Sequence, residues 1–306
     1  MINEKQNESL VSVIIPCYND GAYLSETVAS VRDQTWKEIE IILIDDGSDD
    51  PETIRIINDL PFDRKTVLHT SHIGPAAARN RGIEAAGGTY ILPLDADDKI
   101  DPSYIEKAME VLRSDEKIGA VFCHADLFDG HEGPWELPEY SLKAELLDNC
   151  VFVTALFRKK DWEALGGFCE DFRAGMEDYD FWLSMLESGK EIRQLPEVLF
   201  HYRIKKGSRT DHFQDNYNDV QNTYVQLYLR HKKLYQENMD TYCMELRRNL
   251  IDQSRINKKL HEDPLILYIL DVRALKPRMA CFLEGLFNFK NSIRRLIGRA
   301  KQENEG

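Results

Sequence analysis

Three aspartates, Asp95, Asp97 and Asp98, lie within four consecutive positions of the run YILPLDADD. Carboxylates this close repel one another unless a positive charge lies among them. In an extended segment residues i and i+2 point to the same side, so the carboxylates of Asp95 and Asp97 are expected to face one site. Their oxygen atoms suit Mg²⁺ or Mn²⁺, ions that keep coordination positions open for water and substrate phosphates. The glycine and distal glutamate of an EF-hand loop are absent, which argues against a calcium cage. A DxD tripeptide alone is more often a solvated turn, so its place in the fold decides between these interpretations.

Two acidic pairs lie at the ends of predicted secondary-structure elements, one after a strand and one at the start of a helix. Asp45-Asp46 comes directly after the apolar run IEIILI and is typical of an Asp-Gly turn. The same place would suit acceptors for the N–H and O–H groups of a nucleotide. Glu177-Asp178 opens a predicted helix, where acids favour the helix dipole. The alternative for Asp178 is a general base, which a helix N-terminus would keep ionised near neutral pH.

Arg79 lies in an alanine-rich helix predicted over residues 75–86. Its guanidinium group matches the geometry of a phosphate, although the many acids of the chain are equally good partners. The chain contains no GxGxxG or GxxxxGK[ST] sequence, so we expect no glycine-rich loop around phosphates. A metal ion is therefore expected to carry more of that task.

Short strands alternate with helices in the N-terminal part of the chain, and most of these strands are apolar and β-branched. This alternation predicts a mostly parallel, doubly wound α/β sheet, whose ligands lie beyond the carboxyl ends of its strands. Tyr18, Asp45 and Asp95 each follow or end a strand and should meet there. The predicted strands cover residues 10–16, 39–44, 65–69, 89–94 and 118–125, followed by the strand-like segments IRQLP and VLFHYRI; helices are predicted from Asp50-Pro51 and over residues 102–113.

Length, charge and composition restrict the class of protein. The chain of 306 residues can bury a full α/β core and leave about a hundred residues over. Its formal net charge of -14 argues against nucleic-acid binding. The six cysteines are scattered, which predicts reduced thiols. Neither a signal peptide nor an apolar run near the ~20 residues of a membrane span is visible, so we expect a cytoplasmic protein.

The pattern changes near residue 210 to long helices of mixed charge, which predicts a catalytic domain over 1–210 and a helical region over 211–306. Residues 273–301 carry eight Lys or Arg and one acid. Apolar residues recur there every three or four positions and predict an amphipathic helix. It either packs on its own protein or on a second copy, or lies on an anionic membrane surface.

The ordered motifs resemble those of the inverting family 2 glycosyltransferases, which have the Rossmann-like GT-A fold. The resemblance covers residues 10–210 and is specific as an ordered set. It implies a mostly parallel GT-A sheet with helices on both faces, followed by a helical C-terminal region. The matching motifs are VSVIIPCYND, YLSETVASVRDQTW, EIILIDDGSDD, GPAAARNRGI, GTYILPLDADD, LGGF, MEDYDFWL and HYR.

The resemblance implies a site for a nucleotide-diphospho-sugar donor. Asp95 would face the ribose, and Asp97, together with Asp95, would hold a Mn²⁺ or Mg²⁺ ion that bridges the diphosphate. Asp178 matches the catalytic base, which takes the proton of the acceptor hydroxyl, and Glu177 would orient that base or the acceptor. The resemblance also implies that Pro16, Tyr18 and Asp45 bind the base, with Asp46 beside them, and that Arg79 lies near the phosphates, Asp95 at the ribose and Asp98 at the donor sugar. Lys205 is added to these predicted donor-binding residues because of its charge.

Two positions depart from the family pattern. The LGGF motif is commonly followed by an acid, whereas this chain has Cys169 and then Glu170. Many relatives carry a histidine three residues after the tyrosine of the YR motif, where this chain has Lys205 after Tyr202 and Arg203. A protonated lysine cannot ligate a metal. Its point charge is nevertheless suited to contact with a diphosphate.

The resemblance implies an inverting transferase that moves a sugar, a hexose such as glucose or galactose, from a UDP-sugar to a hydroxyl of a glycan acceptor on a lipid pyrophosphate. The resemblance places it in bacterial O-antigen or capsule synthesis, with residues 273–301 on the cytoplasmic face of the inner membrane. A sugar-1-phosphate nucleotidyltransferase is one alternative, but it would show a glycine-rich basic loop where this chain has CYNDG. A non-catalytic binding protein is another, against which the intact Asp95, Asp97 and Asp178 argue.

Overall fold

The structure is a computed structural model that describes residues 9–130, 132–205, 213 and 216–262. The chain divides into two compact units, one running to Tyr242 and the other beginning at Cys243. The functional boundary near residue 210 stays a prediction. The amphipathic segment predicted over 273–301 lies outside the described residues.

The described residues form nine strands and ten helices. The strands are β1 (Val11–Cys17), β2 (Ile39–Asp45), β3 (Lys65–His69), β4 (Tyr90–Pro93), β5 (Lys99–Ile100), β6 (Ile118–Phe128), β7 (Gly133–Pro134), β8 (Leu156–Arg158) and β9 (Glu191–Arg203). The helices are α1 (Gly21–Arg32), α2 (Pro51–Asp59), α3 (Pro75–Ala85), α4 (Tyr104–Ser114), α5 (Leu142–Glu145), α6 (Lys159–Leu165), α7 (Glu177–Glu187), α8 (Tyr217–Arg230), α9 (Lys232–Glu237) and α10 (Met239–Glu262).

One mixed sheet contains all nine strands, in the order β3-β2-β1-β4-β8-β6-β9-β5 with β7 beside β6. Strands β1 to β4 run parallel, as do β6 and β9, and β8 joins the two sets as an antiparallel strand. The predicted mostly parallel α/β sheet is therefore confirmed. Strands β1, β2 and β4 are almost wholly buried, which explains their near-continuous apolar sequences.

Two local features place the helices that border the carboxyl edge of the sheet. The side chain of Asp50 accepts hydrogen bonds from the backbone of Glu52 and Thr53, and Pro51 is the first residue of α2, as predicted. Helix α3 packs closely on β1 and β2 at Gly82. A Cβ atom at this position would lie only 2.6 Å from side-chain atoms of Ile14 and Ile44. This close packing positions Arg79 of α3 at the edge of the sheet.

Strand β9 differs from the sequence-based expectation. The segments IRQLP and VLFHYRI form one strand of 13 residues that runs parallel to β6, rather than two strands. Irregular register between Phe122 and Ala125 of β6 accommodates Pro196, which lacks the N–H needed for a regular ladder. The continuous strand carries Arg203 to the same edge as the aspartates.

Helices α8 and α9 belong to the first unit and pack on α7. Leu227, Leu234 and Tyr235 share a small apolar core with Tyr179 and Leu183 of α7. None of the helices in the described ranges is long and apolar enough to cross a membrane.

Candidate active site

The register of the parallel strands brings their carboxyl ends level. Cys17 pairs with Asp45, and Asp45 pairs with His69 across the next ladder. Asp45 is buried, with one carboxylate oxygen accepting a hydrogen bond from the Ser48 backbone at 3.0 Å and the other 3.0 Å from His69 Nδ1. The predicted base-pocket residues of β1 and β2 therefore share one edge.

Tyr18 offers an exposed aromatic surface at this edge. Its side chain is 41% exposed, and its ring lies 4.0 Å from the ring of His72 between centroids. Pro16, two residues earlier, is half-buried. An exposed ring at the end of a central strand is suited to stacking on a nucleotide base, and His72 was not predicted as part of this surface.

Asp46 anchors the loop that carries His72. Its Oδ1 accepts hydrogen bonds from Thr70 Oγ1 at 2.6 Å and the Ile73 backbone at 2.7 Å, and its Oδ2 accepts one from the Gly74 backbone at 2.8 Å. With both oxygens engaged and the residue buried, Asp46 holds the shape of the loop. A direct contact between Asp46 and a nucleotide stays a prediction.

Replacing Asp46 with asparagine is expected to lower the free energy of unfolding by about 2 kcal/mol, because an amide would face the Gly74 N–H and leave that donor unpaired. Urea denaturation measures the change. The matched control is Asp49→Asn, at an exposed position where an amide oxygen can still accept from Asn19; it should stay within about 0.5 kcal/mol of the wild type. An equal effect of both variants would contradict the anchoring role.

The aspartate run forms a turn, and this differs from the extended geometry assumed in the sequence argument. The Asp98 backbone N–H donates to the Asp95 carbonyl at 3.2 Å, and Thr27 Oγ1 donates to the Ala96 carbonyl. The two carboxylates of the DxD motif pair with different cations. Asp95 faces Arg79 at 2.6 Å, whereas Asp97 faces Lys205 at 2.9 Å.

Asp98 is buried beneath the turn. Its Oδ1 accepts the backbone N–H of Arg203 at 2.9 Å, and Arg203 Nε donates to the Asp97 carbonyl at 2.8 Å. Burial, together with the charges of Asp97 and Asp95, raises the pKa of Asp98 well above its usual value. The observed contacts of Asp98 fix the turn to β9, and its predicted contact with a donor sugar stays a prediction.

Arg79 connects the aspartate turn to the acidic pair of α7. It is buried, and its two terminal nitrogens bind Asp95 Oδ1 at 2.6 Å and Glu177 Oε1 at 2.7 Å. Its Nε has no hydrogen-bond partner among the described residues. The predicted phosphate contact of Arg79 stays a prediction, since its terminal groups are occupied by carboxylates.

Asp178 lies in the first turn of α7, as predicted. Its Oδ2 accepts a hydrogen bond from Asn149 Nδ2 at 3.1 Å, and its Oδ1 accepts one from the Tyr179 backbone at 2.9 Å. Burial and the neighbouring charge of Glu177 raise the pKa of Asp178 to about 6, against the opposing effect of Arg79. Asp178 is therefore mostly ionised at neutral pH, which a general base requires.

Asn149 is a neighbour of the candidate base that the sequence argument missed. Its Oδ1 accepts the Val151 backbone N–H at 3.3 Å, so its amide is fixed while it donates to Asp178. Nearby Glu145 is buried, and burial raises its pKa to about 8. Neither position stands in a motif, so no local signal marked the segment.

Two partly exposed carboxylates, Asp95 and Asp97, could hold a divalent cation. The side chain of Asp95 is 34% exposed and that of Asp97 is 15% exposed, so both are partly accessible at this edge of the sheet. Over the described part of the chain, no three His, Cys, Asp or Glu side chains cluster as a metal site. The donor set therefore fits an ion whose remaining ligands are water and substrate oxygens, as is usual for Mg²⁺.

Comparison with known proteins agrees with this architecture. The described fold is similar to S. aureus TarS 1–349 in complex with UDP-GlcNAc, with a TM-score of 0.55 and 21% identity over 68% of this chain and 61% of that one. The chain is 32% identical over 222 residues to the uncharacterized glycosyltransferase RP339 of Rickettsia prowazekii, covering 68% of each. It is 43% identical over 109 residues to an uncharacterized glycosyltransferase of Haemophilus influenzae, covering 35% of this chain and 43% of that one.

The fold and the edge-of-sheet site define a GT-A-like protein. Residues 12–176 match the profile of Glycosyl transferase family 2, more than half of the chain, so the protein belongs to that family. The chain spans less than half the length of two of the curated relatives that it matches.

Proposed function

We propose that the protein transfers a sugar from a UDP-sugar to a hydroxyl group of an acceptor, with inversion at the transferred carbon. The observation that carries this proposal is the buried Arg79, which ties Asp95 at the donor side to Glu177 beside the candidate base. Donor-binding acids and a base are thereby parts of one connected site. The UDP-GlcNAc complex of the similar TarS structure supports the choice of a UDP donor.

In this mechanism the exposed ring of Tyr18 stacks on the base, and the edge formed by Pro16 and Asp45 borders it. Asp178 accepts the proton of the acceptor hydroxyl as that oxygen attacks the sugar from the face opposite the leaving group. Asn149 holds the carboxylate of Asp178 in a fixed orientation. Glu177, fixed by Arg79, keeps a second negative charge close to the base and so raises its pKa.

We further propose that the reaction depends on Mn²⁺ or Mg²⁺, with Asp97 and Asp95 as the protein ligands. Such an ion would neutralise the charge that develops on the leaving diphosphate. Support comes from the hard oxygen character and partial exposure of both carboxylates.

The acceptor is proposed to be a glycan on a lipid pyrophosphate, in the synthesis of a bacterial surface polysaccharide. The donor sugar is proposed to be a hexose such as glucose or galactose. In this proposal residues 1–210 are catalytic and residues 211–306 are an accessory region, whose basic segment 273–301 contacts the inner membrane from the cytoplasm. Support for the membrane contact is the concentration of Lys and Arg in that segment.

A donor screen tests the proposed function. Purified protein is incubated with UDP-glucose, UDP-galactose or UDP-GlcNAc and a synthetic lipid-pyrophosphate glycan, with Mn²⁺ or with EDTA. The expected result is release of UDP and a lengthened glycan with one donor, lost in EDTA. Release of pyrophosphate from a nucleoside triphosphate and a sugar-1-phosphate would instead support a nucleotidyltransferase and contradict the proposal.

A further inference from the structure

A lysine ammonium group lies against the carboxylate that is proposed to hold the metal. Lys205 Nζ is 2.9 Å from Asp97 Oδ2 and 2.7 Å from Asp20 Oδ1. The side chain of Lys205 is 28% exposed, and its ammonium lies 5.5 Å from the centre of the Tyr23 ring. Lys205 is therefore a partly buried cation held by two acids from different parts of the chain.

This pairing bears directly on metal binding. A divalent cation that approached Asp97 would meet the ammonium group at Oδ2 of that carboxylate. Two cations at that separation repel strongly in a partly buried site. The other carboxylate of the motif, Asp95, is likewise paired, with Arg79 at 2.6 Å. A free metal ion would thus have to displace Lys205 from Asp97 and leave it with Asp20 alone.

A bound nucleoside diphosphate would weaken the competition between Lys205 and a divalent cation for Asp97. Its phosphate oxygens can receive the ammonium group of Lys205, a compact point charge on a flexible stem. The same phosphates supply further oxygen ligands to a divalent ion that is bound by one or two carboxylates. The diphosphate therefore offers Lys205 an alternative partner and at the same time completes the coordination of the ion.

We propose that Lys205 excludes divalent cations from Asp97 until a nucleoside diphosphate binds, and that it then moves to the diphosphate and admits the ion. This inference rests on the proposed function, because it takes the donor to be a nucleoside diphosphate sugar. It makes Lys205 both a donor-binding residue and the group that orders the binding of donor and metal.

Titration of the full chain with Mn²⁺ alone, followed by electron paramagnetic resonance of the free ion, tests the inference. Wild-type protein is expected to bind Mn²⁺ weakly without UDP and at least roughly ten-fold more tightly with it. The Lys205→Met variant is expected to bind Mn²⁺ without UDP roughly ten-fold more tightly than the wild type, because the competing charge is gone. In EDTA the same variant should bind UDP roughly ten-fold more weakly, because a phosphate contact is lost.

Two variants serve as controls. Lys205→Arg keeps the positive charge and should keep the exclusion of Mn²⁺. Lys99→Met removes a lysine of similar exposure, 33%, that pairs with Glu26 at 3.6 Å, and should behave as the wild type. Equal Mn²⁺ affinity of Lys205→Met and wild type without UDP would overturn the inference while leaving the proposed function intact. A wild type that bound no UDP, with or without Mn²⁺, would overturn both.

Discussion

Replacing Asp178 with asparagine is expected to reduce sugar transfer by about a thousand-fold or more, since a general base contributes on that scale. Binding of UDP should be nearly unchanged, because the recorded contacts of Asp178 are with Asn149 and the Tyr179 backbone rather than with the donor aspartates. Asparagine has nearly the same shape but cannot accept the proton of the acceptor. Single-turnover transfer and equilibrium binding of UDP measure the two effects separately.

The matched control for this variant is Asp171→Asn, which removes an exposed carboxylate from the loop before α7 and should retain wild-type transfer. Transfer by Asp178→Asn at the wild-type rate would remove Asp178 from the mechanism. Loss of UDP binding in the same variant would contradict the separation between donor site and base.

The pH dependence of transfer follows from the same residue. Asp178 acts only when ionised, and burial with the charge of Glu177 raises its pKa to about 6. The rate is therefore expected to fall as the pH decreases through about 6 and to level off above it. In Asp178→Asn any residual transfer should lack this acidic limb, and an unchanged limb would assign the titration to another group.

Replacing Arg79 with methionine is expected to lower the free energy of unfolding by about 3–5 kcal/mol, because it removes one member of a buried ion pair. Losing the ion pair with Glu177 should destabilise the protein more than losing the pair with Asp95, since the side chain of Glu177 is only 4% exposed, against 34% for Asp95. Transfer should fall as well, because the link between the aspartate turn and α7 is lost. Urea denaturation measures the first effect, and transfer at a temperature where the variant is folded measures the second.

Arg81→Met provides a matched control on the same helix. Arg81 has a side chain that is 65% exposed and pairs with Glu84 at 3.3 Å, so its loss should change stability by no more than about 0.5 kcal/mol. Arg79→Lys, which keeps one positive charge, should recover part of the stability if charge pairing is the cause. Equal stability of Arg79→Met and Arg81→Met would contradict the bridging role.

The elements around the site were predictable from local patterns. The strand expected over residues 65–69 is observed as β3, and the strand expected over 39–44 extends by one residue to Asp45. Buried parallel strands are recognisable because both faces are apolar. The cap at Asp50 followed from residue type alone. Strand patterns and helix caps depend only on residues that are close in the sequence, so a single sequence is enough to predict them.

The pairing of charges was not predictable in the same way. Arg79 and Glu177 are 98 positions apart, and Lys205 and Asp20 are 185 positions apart. Any of many acids could have satisfied these two cations, and only the packing of α3 and β9 selects among them. The extended geometry expected for Asp95 and Asp97 was wrong, because the segment forms a turn, with the Asp98 backbone N–H bonded to the Asp95 carbonyl.

The attachment of the aspartate turn to Arg203 has a consequence for synthesis of the chain. Asp98 and its partner in β9 are 105 positions apart, and β5, next to the turn, pairs with the same strand at Phe200 and His201. Contacts of such long sequence separation form late, after the intervening chain is available. While the chain emerges from the ribosome, the turn must wait for residue 203. A nascent chain that stops before β9 would leave the edges of β5 and β6 without their partner strand, and such unpaired edges make it a candidate for recognition by chaperones.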